Sequence, residues 1–430
     1  MAAMTAPPRG GLGEEALPVP RSLADKCLVF FAILYMVSLP LEMFVATAGR
    51  SWAFYLSTAT MASWVIAISQ RGRAKFDFAS AKGFWIVLAL LAFYTTASLM
   101  WTSASSERYL TYVGLLFMIP ALARAFSLSG QKFVYYFIAS CTGLAAFSLK
   151  EFSATSQRVL ITSEGTEYSR VSIANLNDND QAAFLTIACV WSVWLLFRVG
   201  RRARLALIAC ALANFAGGLA TGSRTGAVAL FLGLVAASLM SVWGRQKRGS
   251  NVIVLIAAGS AIAVVFWLVA PILPQRLWII GQDLGTVATA ADRLVIWQAA
   301  LSHSEEWIWT GVGLGQSGPW NADYYGISQV LHNTLLTVFV ELGFIGFLLT
   351  VALVVTAFFG ARRGANLGLF SVALLASLPL HMALSLDYDK LAWALLSLAV
   401  GGFEMLPPSY DNNAYVSRDY IRGTSAAAGP

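Results

Sequence analysis

Residues 201–248 read RRARLALIACALANFAGGLA-TGSRTG-AVALFLGLVAASLMSVW-GRQKR. Two apolar runs, 205–221 and 225–243, flank a polar turn at Thr221–Gly226, and basic clusters close both outer ends. About 20 apolar residues are needed for a helix to cross a bilayer. The two glycines and small hydroxyl residues of the turn let the chain reverse, so the segment predicts a pair of antiparallel membrane helices. Lys and Arg concentrate on the cytoplasmic side of membrane proteins. Arg201, Arg202 and Arg204 at one end and Arg245, Lys247 and Arg248 at the other therefore put the turn on the far side.

The same pattern recurs along the chain. Of 430 residues, 58% are hydrophobic and 12% charged, with a mean hydropathy of +0.67. A soluble domain carries about 25% charged residues. The composition excludes a soluble enzyme with a membrane tail and a secreted disulfide scaffold. A membrane β-barrel is excluded too, because its strands would alternate. The net charge of +7 reads as the positive-inside bias of a multi-pass protein rather than a nucleic-acid surface. Cys27, Cys141, Cys189 and Cys210 lie in apolar segments without CxxC spacing, as buried small hydrophobes do.

The fold expected is all-α, with twelve membrane helices at about 27–46, 52–69, 83–101, 109–128, 133–149, 181–199, 205–221, 225–243, 252–273, 334–359, 367–385 and 391–405. With both termini cytoplasmic, 20 of the 29 basic residues fall on the near side, and about 15 of the 22 acids fall on the other. Residues 1–25 form a disordered cytoplasmic tail without a signal-peptide pattern, 26–405 the membrane domain, and 406–430 a second cytoplasmic tail. Two exoplasmic segments are long, 150–180 and 274–333. The second is too long for an idle connection, and its Trp297, Trp307, Trp309 and Trp320 argue for order. The working face is therefore expected on the exoplasmic side. No internal repeat of the transporter kind is visible.

Three features on that side combine polar chemistry with membrane depth. In Thr221–Gly226, Arg224 starts a helix, where a guanidinium and free amides together suit an anion; an interfacial arginine reaching lipid headgroups is the plainer alternative. Ala291–Trp297 reads as a short amphipathic helix with Arg293 and Trp297 one turn apart. The glycines 311, 313 and 315 after it suit a tight turn better than a nucleotide loop, and Gly315 to Trp320 reads as further loop. Third, Val330-Leu331-His332-Asn333-Thr334 opens the tenth span, where His332 is a candidate base, or else a capping or packing histidine. His303 reads as solvated and His381 as an interhelical hydrogen-bonding group. Asp387 and Asp389 occupy a short exoplasmic turn, free to orient a histidine, to pair with an arginine or simply to be solvated. Glu42 and Glu341 lie in apolar runs facing the bundle interior, without an assigned role. Scattered histidines and embedded cysteines offer no closed zinc site. Arginines can instead neutralise a diphosphate directly, so no metal or other cofactor is expected.

At these residues the sequence resembles the O-antigen ligase and O-antigen polymerase superfamily. The resemblance runs from about 165 to 390. It rests on the order of Arg170, Asn177-Asp178-Asn179-Asp180-Gln181-Ala182-Ala183, Ser223-Arg224-Thr225-Gly226, Asp292-Arg293 with Trp297, the glycine turn, His332-Asn333 and Glu341-Leu342-Gly343-Phe344-Ile345-Gly346. It implies a metal-independent GT-C-like glycosyltransferase of the bacterial inner membrane. Such an enzyme moves a glycan from undecaprenyl diphosphate to an acceptor hydroxyl at a periplasmic site. By position, Arg224 and Arg293 look like the diphosphate grip and His332 like the general base. Asp387 or Asp389 looks like its acidic partner, and Arg170 and Asn179 like further donor or acceptor contacts. Asp178 is a departure, since many members of the family carry proline there in an Asn-Pro-Asn turn.

The implied partners are the lipid-linked glycan, lipid A–core as acceptor, and membrane lipids, with no nucleic acid. A polymerase of lipid-linked O-antigen or exopolysaccharide would share the donor site. A transporter or flippase would instead concentrate polar groups at the bilayer midplane.

Overall fold

The computed structural model of the chain describes residues 22–44, 46–47, 50–70, 81–102, 106–130, 132–155, 178–243, 288–326, 331–361, 367–383 and 389–401. Its helices are α1 (Leu23–Ser38), α2 (Trp52–Gln70), α3 (Lys82–Ala97), α4 (Ser106–Ser129), α5 (Lys132–Thr155), α6 (Asp178–Leu196), α7 (Arg201–Ala220) and α8 (Arg224–Trp243). They continue as α9 (Ala288–Ser302), α10 (Ser304–Trp307), α11 (Ser317–Tyr325), α12 (Thr334–Ala361), α13 (Leu367–Ala383) and α14 (Lys390–Val400). A 3-10 segment, Leu39–Phe44, extends α1, and Ala46–Thr47 pairs antiparallel with Arg50–Ser51. The fold is an all-α, multi-pass membrane bundle. Eight described helices are long and apolar enough to cross a membrane, and α13 and α14 are shorter apolar helices.

The expected spans one to eight coincide with α1 to α8, and ten to twelve with α12 to α14; the ninth, 252–273, lies outside the described residues. The first helix starts earlier than expected, at Leu23, because Ser22 caps it by accepting the Asp25 amide at 3.2 Å.

The bundle is built around α6, in which every residue from Gln181 to Ser192 is buried. A helix covered on all faces needs small residues where its neighbours cross. Gly226 of α8 lies against Ala182, and Gly233 of α8 lies between Val190 of α6 and Ala376 of α13. A side chain at either glycine would overlap its neighbour. Polar side chains tie the helices together: Asn214 donates to Thr142 at 2.9 Å, Ser140 to the Val37 carbonyl at 2.6 Å, and Trp191 to the Leu369 carbonyl at 3.0 Å. All four cysteines are free thiols, with Cys141 and Cys189 buried as expected.

A second, smaller core joins α9 to α12. Ile296, Ala300, Trp307, Trp320, Leu331 and Val340 pack together, so the described part of the long segment between α8 and α12 is a folded unit seated on the start of α12.

Candidate active site

Arg293 lies in the first half of α9, which is longer than the short helix expected there. One turn on, Trp297 donates its indole N–H to the Leu331 carbonyl at 2.7 Å. Leu331 is fully buried, so this bond fixes the chain immediately before His332. Asn333 fixes it from the other side, accepting the Leu336 amide on its side chain at 3.1 Å as the cap of α12. Held between these anchors, His332 adopts φ +50°, the one positive φ outside glycine among the described residues. Backbone of this kind persists where the surroundings impose it, and such positions gather at functional sites.

The half-buried His332 imidazole has its pKa lowered below the usual histidine range, first by desolvation and then by the charge of Arg293. Burial also lowers the Arg293 pKa. Both effects favour the neutral imidazole, which can take a proton, in the field of a guanidinium that can hold an anion.

Beyond His332, α12 is broken. Gly343 has φ 65° and ψ −171°, which interrupts a helix that the sequence alone presents as one continuous apolar run. The break frees backbone groups within the bundle, where water cannot satisfy them. Val312 N–H donates to the Val340 carbonyl at 2.9 Å, and Gly313 N–H to the Glu341 carbonyl at 3.0 Å. Tyr94 O–H donates to the Leu342 carbonyl at 2.8 Å, and Phe344 N–H to the Ile308 carbonyl at 2.7 Å. Gly311, Gly313 and Gly315 all have positive φ, so the tight turn expected there is present. Gly311 and Gly343 meet backbone to backbone, where a Cβ on either would overlap the other strand. Leu314 at the turn's tip joins the main core of the bundle. The buried Glu341 carboxylate accepts Gly315 N–H at 2.8 Å and Ser317 O–H at 2.7 Å.

A second group of polar residues gathers at α6, α8 and α14. Gly222, with φ 68°, reverses the chain ahead of α8, and the Ser223 hydroxyl accepts the Gly226 amide at 3.0 Å, placing Arg224 in the first turn. Ser223 also donates to the Asn179 side chain at 2.6 Å, which brings Asn179 beside the Arg224 turn. Gln181 donates to Ser148 on α5. Asp389 caps α14 by accepting the Leu391 amide at 2.7 Å. Desolvation, and then the charges of Asp180 and Glu42, raise its pKa to about 7 against the pull of the Leu391 amide and Lys390. Glu42 pairs with Lys390 and accepts from Ser51.

The predicted residues thus fall into two groups, Arg293 with His332, and Arg224 with Asn179; Asp389 lies near Asp180 and Glu42. Arg170 and Asp387 lie outside the described residues. Three sequence expectations need correction. Asp389 is not simply a solvated turn residue but a half-buried helix cap. Gly315 to Trp320 is not all loop, because α11 begins at Ser317. His303 is not simply solvated, since its ring packs against Tyr324 and Trp320, with centroids 5.3 and 6.5 Å away. His381 does bond between helices, its Nδ1 lying 3.3 Å from the Thr334 hydroxyl. The two unassigned carboxylates acquire partners, Glu42 in its ion pair with Lys390 and Glu341 on the glycine turn. The signal for Glu341 was a carboxylate two residues before a glycine inside an apolar run.

Residues 209–351 match the family model described as O-antigen ligase, Wzy_C, a span that contains Arg224, Arg293, His332 and Glu341. This match covers about a third of the chain and supports the resemblance to the O-antigen ligase and polymerase superfamily. No curated protein and no solved structure matches the chain.

Proposed function

We propose, starting from the O-antigen ligase domain at residues 209–351, that the protein transfers a glycan from undecaprenyl diphosphate to a sugar hydroxyl of lipid A–core. The reaction takes place at the periplasmic face of the inner membrane of a bacterium. The observation that carries this reading is the pairing of His332, locked in a left-handed backbone, with the charge of Arg293. The acceptor oxygen attacks the anomeric carbon of the donor sugar while the bond from that carbon to the diphosphate oxygen breaks. The acceptor proton passes to the neutral His332 imidazole, and the electron pair of the broken bond leaves with undecaprenyl diphosphate. Direct displacement inverts the anomeric centre.

Arg293 and Arg224 hold the leaving diphosphate. Preorganised cations act strongly in a site shielded from water, and the reaction needs no metal. The general base contributes about 10²–10⁴-fold. Asn179 supports the Arg224 turn, with Arg170 as a further donor or acceptor contact. Asp389, with its pKa near 7, or Asp387, serves as the acidic partner. An apolar cavity of about 170 Å³ between α12, α13 and α14 begins at Thr334, two residues from His332, and suits the isoprenoid chain of a lipid-linked donor.

The test uses purified protein in nanodiscs with the lipid-linked glycan, lipid A–core and EDTA, the products being resolved by mass. Glycan on lipid A–core is the expected product. A longer glycan still on undecaprenyl diphosphate would make the protein a polymerase, and no new bond, while a reconstituted flux assay in sealed vesicles moved the donor, would make it a transporter. Arg224→Ala and Arg293→Ala are each expected to abolish transfer by folded protein. His332→Asn, which tolerates positive φ, is expected to lower it about 10²–10⁴-fold.

A further inference from the structure

We infer that Glu341 is a positioning residue of the transfer site: its two carboxylate oxygens, bonded to Gly315 and Ser317, lock the glycine turn and hold Arg293 beside His332. This rests on the proposed transfer chemistry for its consequence, but not for its geometry.

The carboxylate lies in the bundle interior, 3% exposed, on α12 and nine residues beyond His332, which precedes that helix. A buried carboxylate is tolerated when its lone pairs are satisfied. Here one oxygen takes the Gly315 amide and the other the Ser317 hydroxyl. Gly315 lies in the segment joining α10 to α11, and Ser317 opens α11. That segment is continuous with the small core in which Trp307 and Trp320 pack against Ile296 of α9 and Leu331 beside His332. Trp307 further donates to the Ala300 carbonyl of α9 at 3.0 Å. A shift of the turn is therefore passed through Trp307 to α9, which carries Arg293. The backbone bonds across Gly311 and Gly343 set how closely the turn approaches α12. The Glu341 carboxylate sets where the turn ends and α11 begins.

Two properties separate this role from that of a catalytic acid. Glu341→Gln keeps both contacts, its amide oxygen accepting Gly315 N–H and its amide nitrogen donating to Ser317 Oγ. Glu341→Ala removes the acceptor of the buried Ser317 hydroxyl and of the half-buried Gly315 amide. Displacement of about 1 Å at a reacting group is enough for a loss on the order of 10²-fold. The chain has three histidines, so ¹³C NMR of labelled histidine in nanodiscs follows His332 directly, its signal being identified by its loss in His332→Asn.

The experiment titrates His332 in the wild type, Glu341→Gln, Glu341→Ala and Ser317→Ala, and measures kcat and KM for transfer in each. Glu341→Gln is expected to leave the titration in place and kcat within about threefold of the wild type, on the order of an unchanged contact. Glu341→Ala is expected to lower kcat about 10²-fold with KM little changed, and to move the His332 titration upward as Arg293 withdraws. Ser317→Ala, which keeps the Gly315 bond, is expected to show the same changes at smaller size and decides the matter if Glu341→Ala does not fold. A Glu341→Gln protein as inactive as Glu341→Ala would overturn the inference by making the charge itself catalytic. An unmoved His332 titration in Glu341→Ala and Ser317→Ala would also overturn it. If the wild type transfers nothing while the titration shifts as expected, the proposed function fails and the positioning of Arg293 stands.

Discussion

Asp389 shows how one side chain at a helix start can serve two opposed ends. Its carboxylate accepts the Leu391 amide and starts α14, a contribution of about 1 kcal/mol for a cap of this type. The same carboxylate is desolvated near Asp180 and Glu42, and its pKa rises from 3.8 to about 7. The folded protein thus keeps this proton over a range where the unfolded chain has lost it. Stability linked to the group is complete below about pH 4 and falls as the pH rises through 7. Asn caps as well as Asp and carries no charge. Asp389→Asn is therefore expected to melt close to the wild type at pH 4.5 and several degrees above it at pH 8, with the gap opening between those values. A melting difference that stays constant across this range would show that Asp389 is not protonated in the folded protein near neutral pH. The acidic character of this turn was legible in the sequence, but its burial was not, because Asp180 and Glu42 come from α6 and the end of α1.

At the scale of elements, α12 is the helix whose irregularity matters most. Gly343 stands at φ 65° with its ideal Cβ position 2.5 Å from the Trp309 carbonyl. An alanine there pays about 1–2 kcal/mol for left-handed backbone alone, and the overlap adds to this by parting the turn from the helix. Gly343→Ala is expected to lose at least about 2 kcal/mol in unfolding from detergent. Gly311→Ala should do the same, and the double variant should lose less than the sum, because the two glycines share one contact. Full additivity would mean that the two backbones do not depend on each other. Apolar runs near 20 residues disclosed the membrane helices, since length and hydropathy are local properties. The break was hidden because Leu342-Gly343-Phe344 keeps the run apolar, and only the partners of the freed carbonyls, brought from Tyr94 and residues 308–313, make it stable. The short α11 did carry signals, Pro319 in its first turn and Gly326 in the left-handed position after its end, which its polar composition outweighed.

Across the whole molecule, the two ends of the bundle differ in chemistry. At one end Asp25 of α1 faces Arg124 of α4 at 4.0 Å, and Arg198 and Arg204 bond the last carbonyls around α6, where basic groups suit the negative end of the helix. At the other end lie the Arg224 turn, Asp389 and the Glu42–Lys390 pair, with His332 at the start of α12. The sequence separated these ends by counting charges, and the helix directions agree with it. Charge counting had no access to the grouping of Arg293 with His332, which depends on Trp297 reaching Leu331 across 34 positions of sequence. The positive-inside bias predicts that the basic end is cytoplasmic. A phosphatase reporter, active only outside the cytoplasm, is accordingly expected to work when inserted in 274–287 and to fail when fused after Pro430, with a cytoplasmic β-galactosidase reporter giving the reverse. The opposite pattern would put His332 and Arg293 on the side of nucleotide-activated sugars. A lipid diphosphate would then no longer be the natural donor, and the proposed ligase reaction would have to be given up even though the site geometry remained.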